Sequence, residues 1–340
     1  MFKNPFSFDA RILFAIILVF AGATATSQEV QKLDFCNCID KIDQTSPSLS
    51  GKFQRECDGK LNETGAFEAG VKVGEWVTYS KKGTVIKKVN YSKGKLSGPV
   101  ELFYFNGKPK LRASFEDGKP AAEWTYYTSN GKVLINGKYD SGKPVDLWTI
   151  YKGSKSVVQY DFNNSKYIVK SQPDTRNSGS FMRNDNTGEY FFFYFSTESP
   201  VEETAPLGGQ KFAISLLQDL YEIPLDYWDT FIQYEYLATV SVAKTHQANF
   251  SISRTDKEYS INEEIIYPFI IKTNPDSKIK KVDHTELSRK LLDMKIEETF
   301  SFLPPWVFSG QSEVKIHLPY VINRINRQAD LDKPKEKEYN

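Results

Sequence analysis

Strand-like runs with alternating apolar and polar residues recur every 24 residues between Ser50 and Lys155. Two sets of glycines keep this period: Gly59, Gly83, Gly107 and Gly131, and Gly70, Gly94, Gly118 and Gly142. Three mostly aromatic columns keep it as well: Trp76, Val100, Trp124 and Trp148; Tyr79, Phe103, Tyr127 and Tyr151; and Phe67, Tyr91, Phe115 and Tyr139. A fixed period of about 20 to 50 residues is typical of a repeat architecture.

Each unit contains two predicted strands and two turns. In the third unit the strands are residues 123–128 and 133–139, separated by Asn130-Gly131. Asn-Gly between two such runs favours a hairpin, and we expect a type I′ turn there because that turn needs positive φ at both central residues. Successive hairpins predict a long antiparallel meander and a mainly β protein.

The aromatic columns allow two interpretations. Because side chains alternate along a strand, Trp124 and Tyr126 are expected on one face and Tyr127 on the other. The columns form either a ligand platform or the packing that holds the sheet together, and we favour packing because aromatic ladders stabilise a sheet with or without a ligand. The candidate residues are Trp76, Tyr79, Phe103, Trp124, Tyr127, Trp148 and Tyr151.

Lysines are concentrated in the first full unit. A basic patch would suit anionic lipid or polysaccharide. Lysines also keep exposed strand edges soluble, which is the interpretation we favour. The residues are Lys72, Lys81, Lys82, Lys87, Lys88, Lys93 and Lys95.

Five segments carry a recurring strand motif or turn motif: Gly74-Glu-Trp-Val-Thr-Tyr79, Tyr104-Phe-Asn-Gly-Lys108, Phe115-Glu-Asp-Gly-Lys119, Glu123-Trp-Thr-Tyr-Tyr127 and Tyr139-Asp-Ser-Gly-Lys143. They resemble bacterial variant MORN repeats, which pair a Gly-x-Trp-x-x-Tyr strand with an Asn-Gly-Lys turn. Ala122 and Asp146 depart from the pattern, since they stand where Gly74 and Gly98 would recur. The resemblance implies a binding or scaffolding sheet without catalysis, in places with an antitoxin-like role.

Beyond Ser154 the period decays, and we place a domain boundary near residues 200–206. Two later segments, 211–220 and 285–298, carry apolar residues on one helical face. Three others alternate as strands, at residues 234–242, 249–253 and 314–318. The order helix, two strands, helix, strand predicts a small α+β domain.

A second resemblance rests on Pro206-Leu-Gly-Gly209, Thr239-Val-Ser-Val242, Leu303-Pro-Pro-Trp306, Gly310 and Leu318-Pro319. These residues resemble the TonB C-terminal domain, whose members pair an exposed edge strand with a segment of an outer-membrane transporter. The resemblance implies an edge from Glu313 to Ile322. Its partner-binding residues would be Glu313, Val314, Lys315, Ile316, His317 and Leu318. An insertion at residues 256–284 and the absence of a proline-rich spacer argue against energy coupling.

Charge and the N-terminus bear on compartment. Lys and Arg number 44 against 43 Asp and Glu, a balance that gives no field to recruit nucleic acid. A basic start, an apolar run and Ala23-Thr-Ala25 predict a secretory signal cleaved after Ala25. A retained anchor is the alternative, although a membrane span needs about 20 apolar residues and this run is shorter. We expect a periplasmic or outer-envelope location.

The predicted organisation has six parts. They are a signal peptide at 1–25, a cysteine-containing segment at 26–49, MORN-like hairpin repeats at 50–164, linker strands at 165–205, a TonB-C-like α+β domain at 206–327 and a charged tail at 328–340.

The three cysteines are Cys36, Cys38 and Cys57. In an exported protein we expect Cys57 to pair with Cys36 or Cys38, which leaves one thiol over. A Cys-x-Cys metal site is disfavoured because no fourth ligand lies nearby in the sequence.

No catalytic constellation stands out. His246, His284 and His317 lie far apart in the sequence, and the chain has no Gly-x-Ser-x-Gly, P-loop or dinucleotide motif. The pairs Glu263-Glu264 and Glu297-Glu298 are adjacent, so on a strand their carboxylates would face opposite ways. We expect no cofactor and no metal.

These observations favour a non-enzymatic, secreted binding or scaffold protein of the bacterial envelope. Its partner would be a protein, with an outer-membrane protein or a membrane surface as options and nucleic acid excluded. Two alternatives stay open: a TonB-like accessory of outer-membrane transport that engages receptors by β-augmentation, and an antitoxin or immunity protein.

Overall fold

The computed structural model describes residues 28–32, 38–43, 50–80, 82–171, 173, 180–183, 190–195, 204–221, 232–255, 286–310 and 312–325. The chain divides into two compact units, residues 1–173 with 245–247, and residues 174–244 with 248–340. The predicted signal peptide, the insertion at 256–284 and the charged tail lie outside the described residues.

The first unit contains one antiparallel sheet. Among the described residues this sheet has thirteen strands, and each pairs with the next along the chain. The strands are β1 (Gln28–Lys32), β2 (Cys38–Asp43), β3 (Gly51–Cys57), β4 (Lys60–Glu68), β5 (Val71–Tyr79), β6 (Val85–Ser92), β7 (Lys95–Phe103), β8 (Pro109–Glu116), β9 (Lys119–Tyr127), β10 (Val133–Asp140), β11 (Lys143–Lys152), β12 (Lys155–Asp161) and β13 (Lys166–Lys170). The predicted mainly β hairpin meander is confirmed.

The sheet is longer than the predicted repeat region. Strands β1 and β2 fall in the predicted cysteine-containing segment, and β13 falls in the predicted linker, yet all three pair within the meander. Cys38 lies opposite Cys57 across β2 and β3, and the two form a disulfide. Of the two expected pairings, the one through Cys38 is therefore present; Cys36 lies outside the described residues.

Two kinds of turn occur along the meander, and they alternate between β4 and β11. Asp58-Gly59, Ala69-Gly70, Lys93-Gly94, Asp117-Gly118 and Ser141-Gly142 have positive φ at both residues, which is the type I′ geometry. At Asn106-Gly107 only the glycine has positive φ, and Tyr104 N–H donates to the Lys108 carbonyl at 2.9 Å. This is a three-residue loop with a bulge at glycine.

The predicted type I′ turn at Asn-Gly is therefore wrong, although the hairpin is right. The asparagine instead uses its side chain to close the loop, since Asn106 Oδ1 accepts a hydrogen bond from the Lys108 N–H at 3.0 Å.

Every second strand from β5 to β11 bends at a residue with positive φ. Gly74 and Gly98 occupy this position in β5 and β7, and Ala122 and Asp146 occupy it in β9 and β11 with φ of 56° and 57°. At the bend the pairing skips: Arg112 lies opposite Thr125, but Ser114 lies opposite Ala121. The two departures from the glycine pattern thus keep the bend, with a side chain held in the left-handed region.

Neighbouring units are also joined at their turns. The N–H groups of Gly94, Gly118 and Gly142 donate to the carbonyls of Lys72, Leu96 and Pro120, at 3.0, 2.8 and 2.9 Å. At the opposite end, Asn106 Nδ2 donates to the Ser129 carbonyl at 3.0 Å. Each unit therefore contacts the next one along the chain, as in other repeat proteins.

The second unit combines a sheet with two helices. Its five described strands have the order β14 (Ser180–Arg183), β15 (Tyr190–Phe195), β20 (Glu313–Ile325), β17 (Ile232–Val242), β18 (Ala248–Thr255), and a short pair is formed by β16 (Ala205–Pro206) and β19 (Trp306–Val307). The helices are α1 (Gln210–Leu220) and α2 (Glu286–Ser301). The predicted order of helix, two strands, helix and strand matches α1, β17, β18, α2 and β20.

The core of the second unit lies between these helices and the sheet. Leu217 of α1, Tyr236 and Val240 of β17, and Ile296 and Phe300 of α2 are all buried in one cluster. The apolar positions that predicted the two helices match this cluster only in part. Leu217 of α1 packs on the strands as predicted, but Met294 on the predicted apolar face of α2 is 42% exposed, and α2 packs through Ile296 and Phe300 instead.

Candidate binding face

The sheet of the first unit has two different faces. On β9, Trp124 and Tyr126 are fully buried, whereas Thr125 and Tyr127 on the opposite side are half-buried. We call the side with Trp124 the core face and the side with Tyr127 the outer face. The predicted separation of these residues is confirmed.

The candidate tryptophans all lie on the core face. Trp76, Trp124 and Trp148 are at most 2% exposed. Tyr139 lies between Trp124 and Trp148, with ring centroids 5.1 and 5.0 Å away, and both pairs meet edge to face. Burial raises the pKa of the Tyr139 hydroxyl well above its ordinary value. These rings provide packing, as the favoured interpretation expected, and are not accessible to a ligand.

A fourth column, which was not predicted from the sequence, faces the tryptophans. Gly65, Val89, Ala113 and Gly137 keep the 24-residue period. Gly65, Val89 and Gly137 lie beside Trp76, Val100 and Trp148, and Ala113 lies at the bend opposite residues 122–124. The bend in every second strand folds the large side chain over this residue. A Cβ on Gly65 or Gly137 would lie less than 3.0 Å from indole ring atoms, whereas Val89 lies beside the smaller Val100. The period alone would have revealed this column.

Four candidate rings form a row on the outer face. Tyr79, Phe103, Tyr127 and Tyr151 are all half-buried. Tyr79, Phe103 and Tyr127 occupy the same register position, opposite Val85, Pro109 and Val133, and Tyr151 differs by one residue because it lies opposite Ser156. Each of the four is next to a shift in pairing. We call these four residues the ring row. The row crosses the sheet because its members lie on every second strand, β5, β7, β9 and β11.

A polar row runs beside the ring row on the same face. Direct cross-strand pairing connects its residues in the order Lys88, Glu101, Arg112, Thr125, Asn136, Thr149 and Gln159. Arg112 pairs with Glu101 at 3.4 Å, and its guanidinium lies 5.9 Å from the Tyr127 ring centroid. Thr149 is buried, but the other members of the row are exposed or half-buried, so the outer face presents accessible rings next to hydrogen-bonding side chains.

The clustered lysines do not form one patch among the described residues. Lys72 lies over the Trp76 ring at 3.7 Å, Lys87 is buried, and Lys95 pairs with Asp117 at 2.8 Å. Lys88 is on the outer face, and Lys81 lies outside the described residues. Their sequence proximity thus does not bring them onto a common surface.

The predicted partner strand of the second unit is only partly an edge. Residues 313–322 of β20 pair with β17 along one side, and residues 320–325 also pair with β15 along the other. The prediction is therefore wrong for residues 320–322. Glu313, Val314, Lys315, Ile316, His317 and Leu318 pair along one side only among the described strands. The family resemblance does not include β15, because that strand precedes the residues that the resemblance covers.

A half-buried polar network ties α2 to the sheet of the second unit. Tyr236 Oη donates to Asp293 Oδ1 at 2.8 Å, and Arg254 Nε donates to the same oxygen at 3.3 Å. Burial, together with the charge of Asp293, raises the pKa of Glu297 one turn further along the helix. The network joins β17, β18 and α2, which is a structural role.

The histidines are not brought together in the described part of the chain. His246 belongs to the first unit, where it is buried with its Nε2 2.9 Å from Ser165 Oγ, and burial lowers its pKa. His284 and the side chain of His317 lie outside the described residues. Among described residues, no group of three His, Cys, Asp or Glu is placed to hold a metal, and no helix is long and apolar enough to cross a membrane.

Comparisons with known proteins do not identify a family for this chain. No protein-family model and no curated protein matches the chain. One solved structure that it resembles is a mutant of S. aureus TarM in complex with Fondaparinux, alpha-GlcNAc-glycerol and UDP, at 21% identity and a TM-score of 0.21. The match covers 28% of this chain and 20% of that one, and a score this low carries no argument about fold or function.

Proposed function

We propose that the protein is a non-enzymatic binding or scaffold protein of the bacterial envelope, and that the outer face is its binding surface. The observation that carries the proposal is the ring row with its adjacent polar row. A rigid, hydrogen-bonded sheet holds four accessible rings at equal intervals. Preorganised aromatic groups of this kind bind a ligand at low entropic cost.

The proposal includes the two family resemblances. A MORN-like sheet suits it because each 24-residue unit adds the same two strands and the same ring to the surface. The predicted signal at residues 1–25 supplies the envelope location. The TonB-C-like identity of the second unit rests on the order of α1, β17, β18, α2 and β20.

Site-specific photocrosslinking in cells tests the binding role. A photoreactive residue at Asn136, which is exposed on the outer face, should capture an envelope component. The same residue at Ser141, which is exposed at a turn of the next hairpin, is the matched control. Equal capture at both positions, or none at Asn136, would refute the assignment of the surface. Fractionation and the mass of the mature N-terminus test the location, which fails if the full-length chain is cytoplasmic.

A second candidate function is engagement of an outer-membrane receptor by β-augmentation. It is favoured by one observation, that residues 313–319 of β20 are paired along one side only among the described strands. A photoreactive residue at Lys315, which is exposed, should then crosslink to a β-barrel protein. Recovery of soluble periplasmic proteins alone would count against it.

A further inference from the structure

The spacing of the ring row selects a ligand with a matching repeat. Neighbouring strands of a sheet lie about 4.8 Å apart, so rings on every second strand recur about every 9.6 Å, and the four rings span about 29 Å. The two-residue repeat of an extended peptide strand is shorter, about 6.8 Å. An extended glycan of β-linked pyranoses has a disaccharide repeat close to the ring spacing.

The polar row indicates the chemistry of that ligand. Thr125, Asn136 and Gln159 combine donors and acceptors, which is what sugar hydroxyls require, because a hydroxyl both donates and accepts. Charges in the row alternate, with Glu101 between Lys88 and Arg112, so the face does not favour a polyanion. Aromatic rings present flat apolar surfaces against which the C–H face of a pyranose can stack.

A proline-rich peptide is the competing ligand. A polyproline II helix repeats about every 9.3 Å, which is also close to the ring spacing. Prolines lack the backbone N–H, however, so such a peptide offers mainly carbonyl acceptors. The acceptor groups of Glu101, Asn136 and Thr125 would find no partner on it.

We propose that the outer face binds an extended glycan of β-linked pyranose sugars, with one disaccharide against each ring of the ring row. This rests on the binding role proposed above and names its ligand class. Tyr79, Phe103, Tyr127 and Tyr151 stack on alternate sugars, and the polar row contacts their hydroxyls.

Titration calorimetry of the whole protein with cellohexaose and with N-acetylchitohexaose tests the proposal. At least one hexasaccharide should bind, and more tightly than its disaccharide, because six sugars reach three rings. Phe103→Ala and Tyr127→Ala should each weaken binding about three- to tenfold, the range expected for one aromatic contact. Tyr127→Phe should retain binding because it keeps the ring.

Phe105→Ala is the matched control, since Phe105 is 39% exposed in a hairpin turn outside the ring row. It should leave the affinity unchanged, and circular dichroism should show that all variants are folded. The proposal is overturned if neither hexasaccharide binds, if the ring-row variants bind as tightly as the parent, or if decaproline binds in their place. Failure of both sugars together with an envelope protein crosslinked at Asn136 would refute the glycan and leave the binding role standing.

Discussion

The pairing of glycine with tryptophan across the core face predicts a strongly non-additive mutant cycle. Gly137→Val places branched carbons where even a Cβ would lie less than 3.0 Å from Trp148 ring atoms. The indole cannot retreat, because Trp148 is fully buried, its Nε1 donates to the Lys138 carbonyl at 3.0 Å, and Tyr139 packs on it at 5.0 Å. We expect a loss of about 3 kcal/mol, at the upper end for overpacking.

The reciprocal change, Trp148→Val, leaves a cavity and should also cost about 3 kcal/mol, the lower end for truncating a buried Trp. The double variant recreates the pair that the chain itself uses two units earlier, Val89 opposite Val100, which are 1% and 0% exposed. It should therefore lose about 3 to 4 kcal/mol, well short of the sum, since contacting residues couple by up to about 3 kcal/mol.

Urea denaturation followed by circular dichroism measures all four corners of this cycle. Asn136→Val, one position away on the outer face, is the control, and as an exposed substitution it should change stability by less than about 0.5 kcal/mol. Two results would refute this reasoning: Gly137→Val as stable as the parent, or a double variant whose loss equals the sum of the two single losses. Either would mean that the packing of the tryptophan column on the column of small residues does not hold the bend.

Three further predictions concern stability. Ala122→Gly should stabilise the first unit by about 0.5–1 kcal/mol because it removes the strain of a left-handed alanine. Asp146→Gly should stabilise it less, because this change also removes the 2.8 Å hydrogen bond from Asn163 Nδ2. Urea midpoints measure both effects, and equal gains would contradict the reasoning. Cys57→Ser should lower the free energy of unfolding by about 3 kcal/mol, because it opens the disulfide loop between residues 19 apart in the sequence. Cys36→Ser should leave stability unchanged. An equal loss in both variants would contradict the Cys38–Cys57 pairing. Burial raises the pKa of Glu297 in the folded protein above its ordinary value of 4.5. The folded state therefore binds this proton more tightly than the unfolded state, and stability falls as pH rises from 4.5 through the raised pKa. Glu297→Gln should therefore stabilise the second unit at pH 7 but little at pH 4, and a gain independent of pH would point to another cause.

Much of the first unit could be read from the sequence, because its contacts are local. The 24-residue period identified the hairpins, and strict alternation separated Trp124 from Tyr127. The outer limits of the sheet were missed because β1, β2 and β13 pair by backbone hydrogen bonds without carrying the periodic residues. Turn type was missed at Asn-Gly because the asparagine side chain, not its φ, closes the loop.

In the second unit, the helices and strands were visible as apolar patterns, but the position of β20 was not. Its neighbour β15 comes from a segment more than 100 residues earlier in the chain, and no local pattern states which strand a segment will join. The same holds for the meeting of Tyr236, Arg254 and Asp293 on one network.

By itself the sequence determined the repeat, the two faces of its strands and the positions of the turns, since these follow from residue spacing and backbone conformation. Only the tertiary structure decided that the tryptophans are buried over a column of small residues while Tyr79, Phe103, Tyr127 and Tyr151 remain accessible. The physical reason is the bend in every second strand, where three residues lie opposite one residue of the neighbouring strand. There a large side chain folds over the small residue opposite it. This packing depends on the register between strands, which the order of residues along one strand does not give.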